Sequence, residues 1–240
     1  IYVCNNRGVN AVAVAEQTLL LILGVLKHVV EGDAAVRAGR QIAYKEQLMV
    51  SGIEELSGMT VGLIGFGAIA REVAKRLNAF DADVVYTKRH RLDEAEERLL
   101  GVRYLGRAEL LAASDIVSVH VPVTAETRGM VDDAFFAQMK QGSCLVNTAR
   151  GRLVDDEAVA RALADGRLGA YATDVLSEEP PRAEHPLLHA PRCYVTPHVA
   201  WATVEARSRI IDLLRNNIRA FLNGRPINVV NGTAGTAAAH

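Results

Sequence analysis

The strongest constraint on the fold is an alternation that begins near residue 60, where short apolar runs rich in β-branched residues alternate with amphipathic, helix-like segments. Continuous apolar strands separated by helices are typical of a parallel sheet that helices cover on both faces. Because such units are connected in a right-handed sense, the pattern predicts a doubly wound α/β fold. Ligands of that fold bind at the carboxyl ends of its strands.

The positions of the individual elements follow from these runs. The predicted strands are Thr60–Gly65, Asp83–Thr87, Asp115–Val121, Ser143–Thr148, Gly169–Asp174 and Tyr194–Thr196. The predicted helices cover residues 69–79, 107–113, 132–139, 155–165 and 201–222. Before the alternation, residues 11–30 predict a single, strongly apolar helix with Asn10 as its N-cap, and a more polar stretch follows to about Ser57.

Charge and cysteine content bear on partners and location. The formal net charge of −1 gives no reason to expect a nucleic-acid or anionic-membrane partner. The apolar run 19–26 is too short to span a bilayer, and no signal-peptide pattern follows Ile1. Cys4, Cys144 and Cys193 are odd in number and widely separated, which argues against a disulfide framework and for a reducing compartment. We therefore expect a cytoplasmic protein.

A glycine-rich turn joins the first predicted strand to the following helix. Gly65, Gly67 and Ala70 form the pattern Gly-x-Gly-x-x-Ala. The first glycine permits a tight turn, the second lets backbone amides approach a pyrophosphate, and the small third residue allows close helix–strand packing. The pattern alone also fits an ordinary glycine-rich turn. Its position between a strand and a helix favours a Rossmann-type dinucleotide-binding domain.

The second predicted strand ends where such domains bind the adenosine ribose. An NAD enzyme usually has an acidic residue there, whereas this chain continues from Thr87 into Lys88 and Arg89. These cations, with the Thr87 hydroxyl, suit a 2′-phosphate and predict NADP, with NAD as a possible second cofactor. Arg91 is instead expected to be solvated. The alternative is a solvated basic loop and an enzyme that accepts both cofactors.

Three polar residues follow the carboxyl ends of later strands: Arg150, Glu179 and His198. A histidine can exchange the hydroxyl proton of an alcohol at neutral pH, and a neighbouring carboxylate favours the protonated imidazole. A guanidinium can bind a substrate carboxylate and polarise a carbonyl. Taken singly, each residue could be an ordinary surface or loop residue. Together with the glycine-rich turn, these three residues predict an oxidoreductase that acts on a carbon bearing a hydroxyl or a carbonyl.

Other polar groups are not expected to be catalytic. His185 and His189, with Cys193 nearby, lie in a proline-containing loop without a second ligand pair, so no metal site is expected. The acidic run 155–157 is expected to serve a helix N-terminus. His120 is expected to be structural.

The chain resembles the D-isomer-specific 2-hydroxyacid dehydrogenase family over nearly its whole length, from residues 5–10 to residues 224–228. The segments 147–151 (Asn-Thr-Ala-Arg-Gly) and 196–198 (Thr-Pro-His) carry the resemblance most specifically. Asp174 and Glu179 follow Arg150 by 24 and 29 residues, which is the spacing found in the family. By this resemblance His198 is the acid/base, Glu179 its partner and Arg150 the substrate anchor.

The resemblance also implies a cofactor groove and a homodimer formed through the dinucleotide domain. Asp174 would accept a hydrogen bond from the nicotinamide carboxamide, and Ala68 and Ile69 would contact the pyrophosphate. The groove would further be lined by Val121, Pro122, Thr127 and Thr148. The breadth of the apolar surface of helix 11–30 also favours a homodimer.

Within the family, residues 200–203 and 228–231 look most like the glycerate dehydrogenase and hydroxypyruvate/glyoxylate reductase branch, with the preferred 2-oxoacid left open. Residues 86–92 also resemble the related formate dehydrogenases, which carry a glutamine in place of Glu179. A formate- or phosphite-type dehydrogenase of the same superfamily is therefore one alternative. A dinucleotide-sensing scaffold, as in transcriptional corepressors, is the alternative from another class.

The sequence departs from the family at Ala70, at Asp81, where a glycine is usual, and at Lys88. We also expect the family's amino-terminal segment, about 100 residues that build most of the substrate domain, to be absent. Residues 1–10 would then be a remnant of that second domain and 11–200 the dinucleotide domain. Residues 201–230 would be a returning helix, and 231–240 a flexible tail. Such a chain is expected to bind cofactor but to turn over poorly.

Overall fold

The computed structural model describes residues 1–6 and 8–231 and contains a seven-stranded parallel sheet. The strands are β1 Thr60–Ile64, β2 Asp83–Thr87, β3 Arg103–Tyr104, β4 Ile116–Val119, β5 Cys144–Asn147, β6 Ala170–Thr173 and β7 Cys193–Val195. The helices are α1 Ala11–Leu26, α2 Val29–Arg37, α3 Gln41–Ser51, α4 Ala68–Asn78, α5 Glu94–Leu100, α6 Arg107–Ala113, α7 Asp133–Gln138, α8 Asp156–Ala164 and α9 Val204–Leu222.

The strand order is β3-β2-β1-β4-β5-β6-β7, and every neighbouring pair is parallel. The order reverses between β1 and β4, which is the switch point where a doubly wound sheet opens a crevice for its ligand. The predicted doubly wound α/β fold is therefore confirmed, and the carboxyl ends of β1, β4, β5, β6 and β7 meet at one edge.

Most elements that the alternation predicted are present, with ends that differ by a few residues. The prediction missed β3 and α5. The strand has only two residues, and the helix is a charged segment in which only Glu97 is buried. Neither segment carries the apolar periodicity on which the prediction depended.

The single helix predicted over residues 11–30 is wrong. The first helix ends at Leu26, because His28 adopts a left-handed conformation with φ 52° that a continuing helix does not allow. Two further helices, α2 and α3, occupy the stretch that was expected to be merely polar. Asn10 does flank the first helix, but its side chain makes no capping hydrogen bond.

Two apolar layers cover the sheet. Helices α1 and α4 pack on one face, and α6, α7 and α8 pack on the other. Most of α1 is buried against its own sheet and α4, so the expectation of a broad unpaired surface on this helix is wrong. Two exposed large apolar side chains, Val12 and Leu20, lie on α1, and the others of this region lie in and after α2 and α3: Val29, Val30, Val36, Ile42, Met49, Val50 and Ile53.

The first residues of the chain contact its last helix and the segment after it. An isolated antiparallel bridge pairs Cys4 with Val229, and the guanidinium of Arg209 in α9 donates to the Val9 carbonyl at 2.7 Å. Residues 232–240, nearly all of the expected flexible tail, lie outside the described residues. In the part of the chain that the structure describes, no helix combines the length and hydropathy needed to cross a membrane.

Candidate active site

A cavity of about 1200 Å³ opens at the carboxyl ends of the strands. Many of the predicted site residues line it: Ile69, Val121, Pro122, Thr148, Arg150, Asp174, Glu179 and His198. The structure thus brings the three predicted catalytic residues into one cavity with part of the predicted cofactor groove.

The glycine-rich turn contributes Ile69 to the cavity lining. Gly65 has φ 86°, and a Cβ there would lie 2.7 Å from the His120 carbonyl oxygen, so only glycine fits. A Cβ on Gly67 would meet no atom within 4 Å. Because Gly67 precedes α4 without a side-chain cap, the first amides of that helix, from Ala68 and Ile69, remain available to an anion. This open cradle fits the pyrophosphate of a dinucleotide.

In the basic loop after β2, which carries Lys88 and Arg89, one of the two cations is already paired with a carboxylate. Lys88 is half-exposed, whereas the guanidinium of Arg89 lies 2.5 Å from the Glu126 carboxylate, and both of these side chains are exposed. The two cations predicted to bind a 2′-phosphate therefore differ, since one already has a carboxylate partner.

Arg91 is exposed, as expected, but its side chain also has a carboxylate partner. Its guanidinium makes two contacts with the buried Glu97 carboxylate, at 2.9 and 2.8 Å, and the Tyr86 hydroxyl donates to the same carboxylate at 2.7 Å. The Arg91 hydrogen bonds and the Tyr86 hydroxyl lower the pKa of Glu97 to about 2, against the opposing effect of burial. Burial and the hydrogen bond to Glu97 raise the pKa of Tyr86 to about 12. The hydroxyl also accepts from the Leu92 amide at 2.9 Å, which fixes the basic loop.

The predicted histidine–glutamate pair is formed. His198 Nδ1 lies 2.6 Å from Glu179 Oε2, and the Leu176 amide donates to Glu179 Oε1 at 2.9 Å. Partial burial raises the pKa of Glu179, but these hydrogen bonds and the charges of His198 and Arg150 outweigh it, so the pKa lies below its usual range. Glu179 is therefore a carboxylate at neutral pH.

Asp174 holds residues 196–200, the loop that carries His198 and is called the histidine loop below. Its buried carboxylate accepts from the Thr196 hydroxyl at 2.6 Å, the Val199 amide at 3.1 Å and the Ala200 amide at 2.8 Å. These bonds surround His198, which has φ 55°, a conformation that non-glycine residues rarely adopt. The sequence did not reveal this role; contact of Asp174 with a nicotinamide stays a prediction.

Arg150 follows β5 in a tightly packed turn. The side-chain amide of Asn147 donates to the Arg150 carbonyl at 3.0 Å. A Cβ on Gly151 would lie 1.9 Å from the Leu176 carbonyl carbon and 2.4 Å from the Ser177 amide nitrogen, so the glycine is required by close backbone contact. The turn that carries the arginine and the loop that leads to Glu179 are therefore packed against each other.

Helix α1 supports the cavity from beneath. The hydroxyls of Thr18 and Thr148 lie 2.9 Å apart, and the Gln17 amide donates to the Thr196 hydroxyl at 3.1 Å. Sequence reasoning missed these contacts because the apolar pattern of the helix gives no signal for Gln17 and Thr18. Thr127 does not line the cavity; its hydroxyl donates to the Pro122 carbonyl at 2.7 Å and closes the loop after β4.

Several residues without a predicted site role also line the cavity: Asn5, Asn6, His120, Arg128, Arg152, Ser177 and Trp201. His120 directly follows β4, and its place at a strand end was a signal that could have identified it. Its Nε2 lies 2.9 Å from the Ser118 hydroxyl, and burial lowers its pKa to about 4. His120 is therefore a neutral side chain that lines the cavity.

Taken together, a helix N-terminus open to an anion at the sheet's switch point, with an arginine and a histidine–carboxylate pair in the same cavity, defines a nicotinamide-dinucleotide-dependent oxidoreductase. Residues 19–200 match the D-isomer specific 2-hydroxyacid dehydrogenase, NAD binding domain. This chain belongs to the D-isomer-specific 2-hydroxyacid dehydrogenase family.

The relatives agree with this assignment. The chain is 39% identical over 232 residues to a glyoxylate reductase of Thermofilum pendens, with 96% of this chain and 68% of the relative covered. It is 33% identical to a hydroxypyruvate reductase of Blautia hydrogenotrophica, with 95% and 71% covered. The solved structure of a Granulicella M. formate dehydrogenase is similar at 32% identity and a TM-score of 0.87, with 95% and 60% covered.

Proposed function

We propose that this chain is the dinucleotide-binding part of an enzyme that reduces a small 2-oxoacid, glyoxylate or hydroxypyruvate, to the corresponding hydroxyacid. The observation that carries the proposal is the 2.6 Å contact between His198 and Glu179 in the cavity that Arg150 also lines. The glyoxylate and hydroxypyruvate reductases to which the chain is similar support the same substrate class.

Each polar residue has a chemical task in this reaction. Arg150 binds the substrate carboxylate and polarises the adjacent carbonyl. His198 donates a proton to the carbonyl oxygen as it becomes a hydroxyl, and Glu179 stabilises the imidazolium before that transfer. The nicotinamide cofactor supplies the hydride when bound. The amides of Ala68 and Ile69 would hold its pyrophosphate.

The alternatives are less well supported. Formate has no hydroxyl to deprotonate, and the family's formate dehydrogenases carry a glutamine where this chain has Glu179, so a carboxylate–histidine relay favours a hydroxyacid. A corepressor-like scaffold is less well supported because the similar relatives are named as reductases.

We further propose that the cofactor is NADP(H). Lys88 and Arg89 follow the strand end at which NAD enzymes have an acidic residue, and Lys88 has no ion-pair partner among the described residues. A cation at this position attracts the 2′-phosphate, which carries nearly two negative charges at neutral pH.

The quaternary and domain organisation are proposals as well. Exposed apolar side chains on α2 and α3 support a homodimer formed through residues 29–53. The bridge between Cys4 and Val229 supports assigning residues 1–10 and 201–230 to a second domain, apart from 11–200. The cytoplasmic location stays a proposal, supported by three free cysteines. The dimer interface at residues 29–53 can be tested by sedimentation of a Met49→Glu variant. This variant should be a monomer, whereas an unchanged dimer would contradict the proposed interface.

The deciding experiment follows NADPH oxidation by the protein that contains this chain, with glyoxylate, hydroxypyruvate or no acceptor. We expect turnover with at least one acceptor, and a loss of about a hundredfold or more in His198→Gln with cofactor binding retained. Formate with NADP⁺ is the comparison reaction. Turnover of formate alone, or cofactor binding without reduction of either acid, would contradict the proposed function.

A further inference from the structure

A second histidine–carboxylate pair lies outside the cavity. His185 Nε2 is 3.2 Å from Asp156 Oδ2, and the two side chains are only 4% and 10% exposed. The neighbouring Asp155 caps the helix N-terminus through the amides of Glu157 and Ala158, as expected for the acidic run. Asp156, by contrast, is engaged by side chains. The proposed reaction uses neither member of this buried pair.

Hydrogen bonding fixes the direction of the pair. The Leu187 amide donates to His185 Nδ1 at 3.4 Å, so Nδ1 accepts and Nε2 carries the proton that is donated to Asp156. The Ser177 hydroxyl donates to the same Asp156 oxygen. Burial raises the pKa of Asp156, against which the Ser177 and His185 contacts act. The carboxylate therefore depends on these two donors for its solvation.

Ser177 connects this pair to the candidate active site. It lies in the turn between Leu176 and Glu179, where the Leu176 amide donates to Glu179 Oε1. The other oxygen of Glu179 meets His198. Gly151 packs against the Leu176–Ser177 peptide from one side, and Asp156 holds the serine side chain. The turn that presents Glu179 is thus fixed both at its backbone and at its one hydroxyl.

We propose that Asp156 and His185 are positioning residues, which act through Ser177 to hold Glu179 in contact with His198. This inference rests on the proposed function, because it assigns a role in that proton relay. His185 orients Asp156, Asp156 fixes the serine, and the serine fixes the turn. A displacement of about 1 Å in such an arrangement can lower a rate about a hundredfold.

The competing explanation is that the buried pair only stabilises the fold. The two explanations predict different results in a double-mutant cycle with Glu179→Gln. A positioning role predicts that kcat falls about tenfold or more in Asp156→Asn and Ser177→Ala, with little change in the KM for NADPH. In the Glu179→Gln background the same substitutions should change kcat less than about twofold, because the group they position is already altered.

Glu157→Gln is the matched control, since it removes a charge from the same helix turn without touching the pair. Ser177→Ala keeps the test decisive if Asp156→Asn does not fold, because Ser177 is exposed and its loss leaves no cavity. Equal losses in both backgrounds, or an unchanged kcat with a lowered Tm, would overturn the positioning role. A wild type that reduces neither glyoxylate nor hydroxypyruvate would instead overturn the proposed function.

Discussion

Arg89 and Glu126 join two loops that border the predicted cofactor groove: their side chains meet at 2.5 Å although they lie 37 positions apart in the sequence. The arginine belongs to the basic loop after β2, and the glutamate belongs to the loop after β4. Both side chains are about three-quarters exposed, so solvent screens the pair and its contribution is no more than about 1 kcal/mol. A phosphate that approaches Arg89 therefore competes with a weak partner.

Releasing Arg89 should strengthen NADPH binding. In Glu126→Gln we expect the Kd for NADPH to fall by up to about fivefold, which corresponds to the loss of a screened ion pair. Fluorescence titration with NADPH measures this change, and NADH should show little difference. In an Arg89→Gln background the Glu126→Gln substitution should have no effect. A change of equal size in that background would contradict competition for the arginine.

Reversing the charge at residue 88 should reverse the cofactor preference. We expect wild type to prefer NADPH, and Lys88→Asp to shift the ratio of kcat/KM values towards NADH by about tenfold or more, because a carboxylate repels the 2′-phosphate and accepts from a ribose hydroxyl. Lys75→Asp makes the same charge change on the exposed side of α4 and should leave the ratio unchanged. A wild type that prefers NADH would refute the prediction.

The pH profile of reduction should depend on Glu179. Its pKa is lowered, so it is ionised at neutral pH and favours the imidazolium form that donates the proton. Glu179→Gln removes that charge, and the pH at which activity falls on the basic side should move down by about one pH unit. Glu178→Gln, next to it and paired with Arg182, should leave the profile in place. An unchanged profile in Glu179→Gln would break the proposed pairing.

The free energy of unfolding should decrease with acid through Glu97. Because its pKa is about 2 in the fold against an ordinary 4.5, its contribution is complete above about pH 4.5 and is lost as the pH falls towards 2. Denaturant unfolding across this range should show a shallower acid decrease in Glu97→Gln than in wild type. The exposed neighbour variant Glu94→Gln should follow wild type. Parallel curves for Glu97→Gln and wild type would exclude this linkage.

A methyl group at residue 151 should disrupt the fold around the candidate active site. In Gly151→Ala the new Cβ meets the Leu176–Ser177 backbone, which cannot move aside easily, so we expect at least about 2 kcal/mol of destabilisation and a large loss of kcat. The control is Gly24→Ala in α1, where a Cβ meets nothing within 4 Å, and which should stabilise by about 0.5–1 kcal/mol. A Gly151→Ala variant as stable as wild type would show that the two turns can separate.

The sheet and the proximity of the proposed catalytic residues could be predicted from sequence because each depends on a local pattern. The β-branched runs mark the strands, and a parallel sheet gathers residues at their carboxyl ends, so Arg150, Glu179 and His198 were expected at one edge. The break at His28 was missed because one left-handed residue leaves no mark in apolar periodicity. Asp81 has φ 58°, which explains why a glycine is usual there.

Contacts between distant segments could not be predicted in the same way. The pairing of Arg89 with Glu126 depends on which loops the fold brings together. The pairing of Arg91 with Glu97, six residues away, depends on the rotamers that packing selects. The same is true of Thr18 beneath Thr148. A basic loop has the same sequence whether its cations are only solvated or also paired, so the sequence did not reveal the partner of Arg91.

The three hydrogen bonds that Asp174 accepts from the histidine loop preorganise that loop. The loop's conformational entropy is lost when the chain folds, because its hydrogen bonds are to the protein itself rather than to a ligand. A molecule that enters the cavity meets an ordered loop, so none of its binding free energy is needed to order His198. Ligands that contact the same cavity residues can therefore differ in reaction rate without a matching difference in binding affinity.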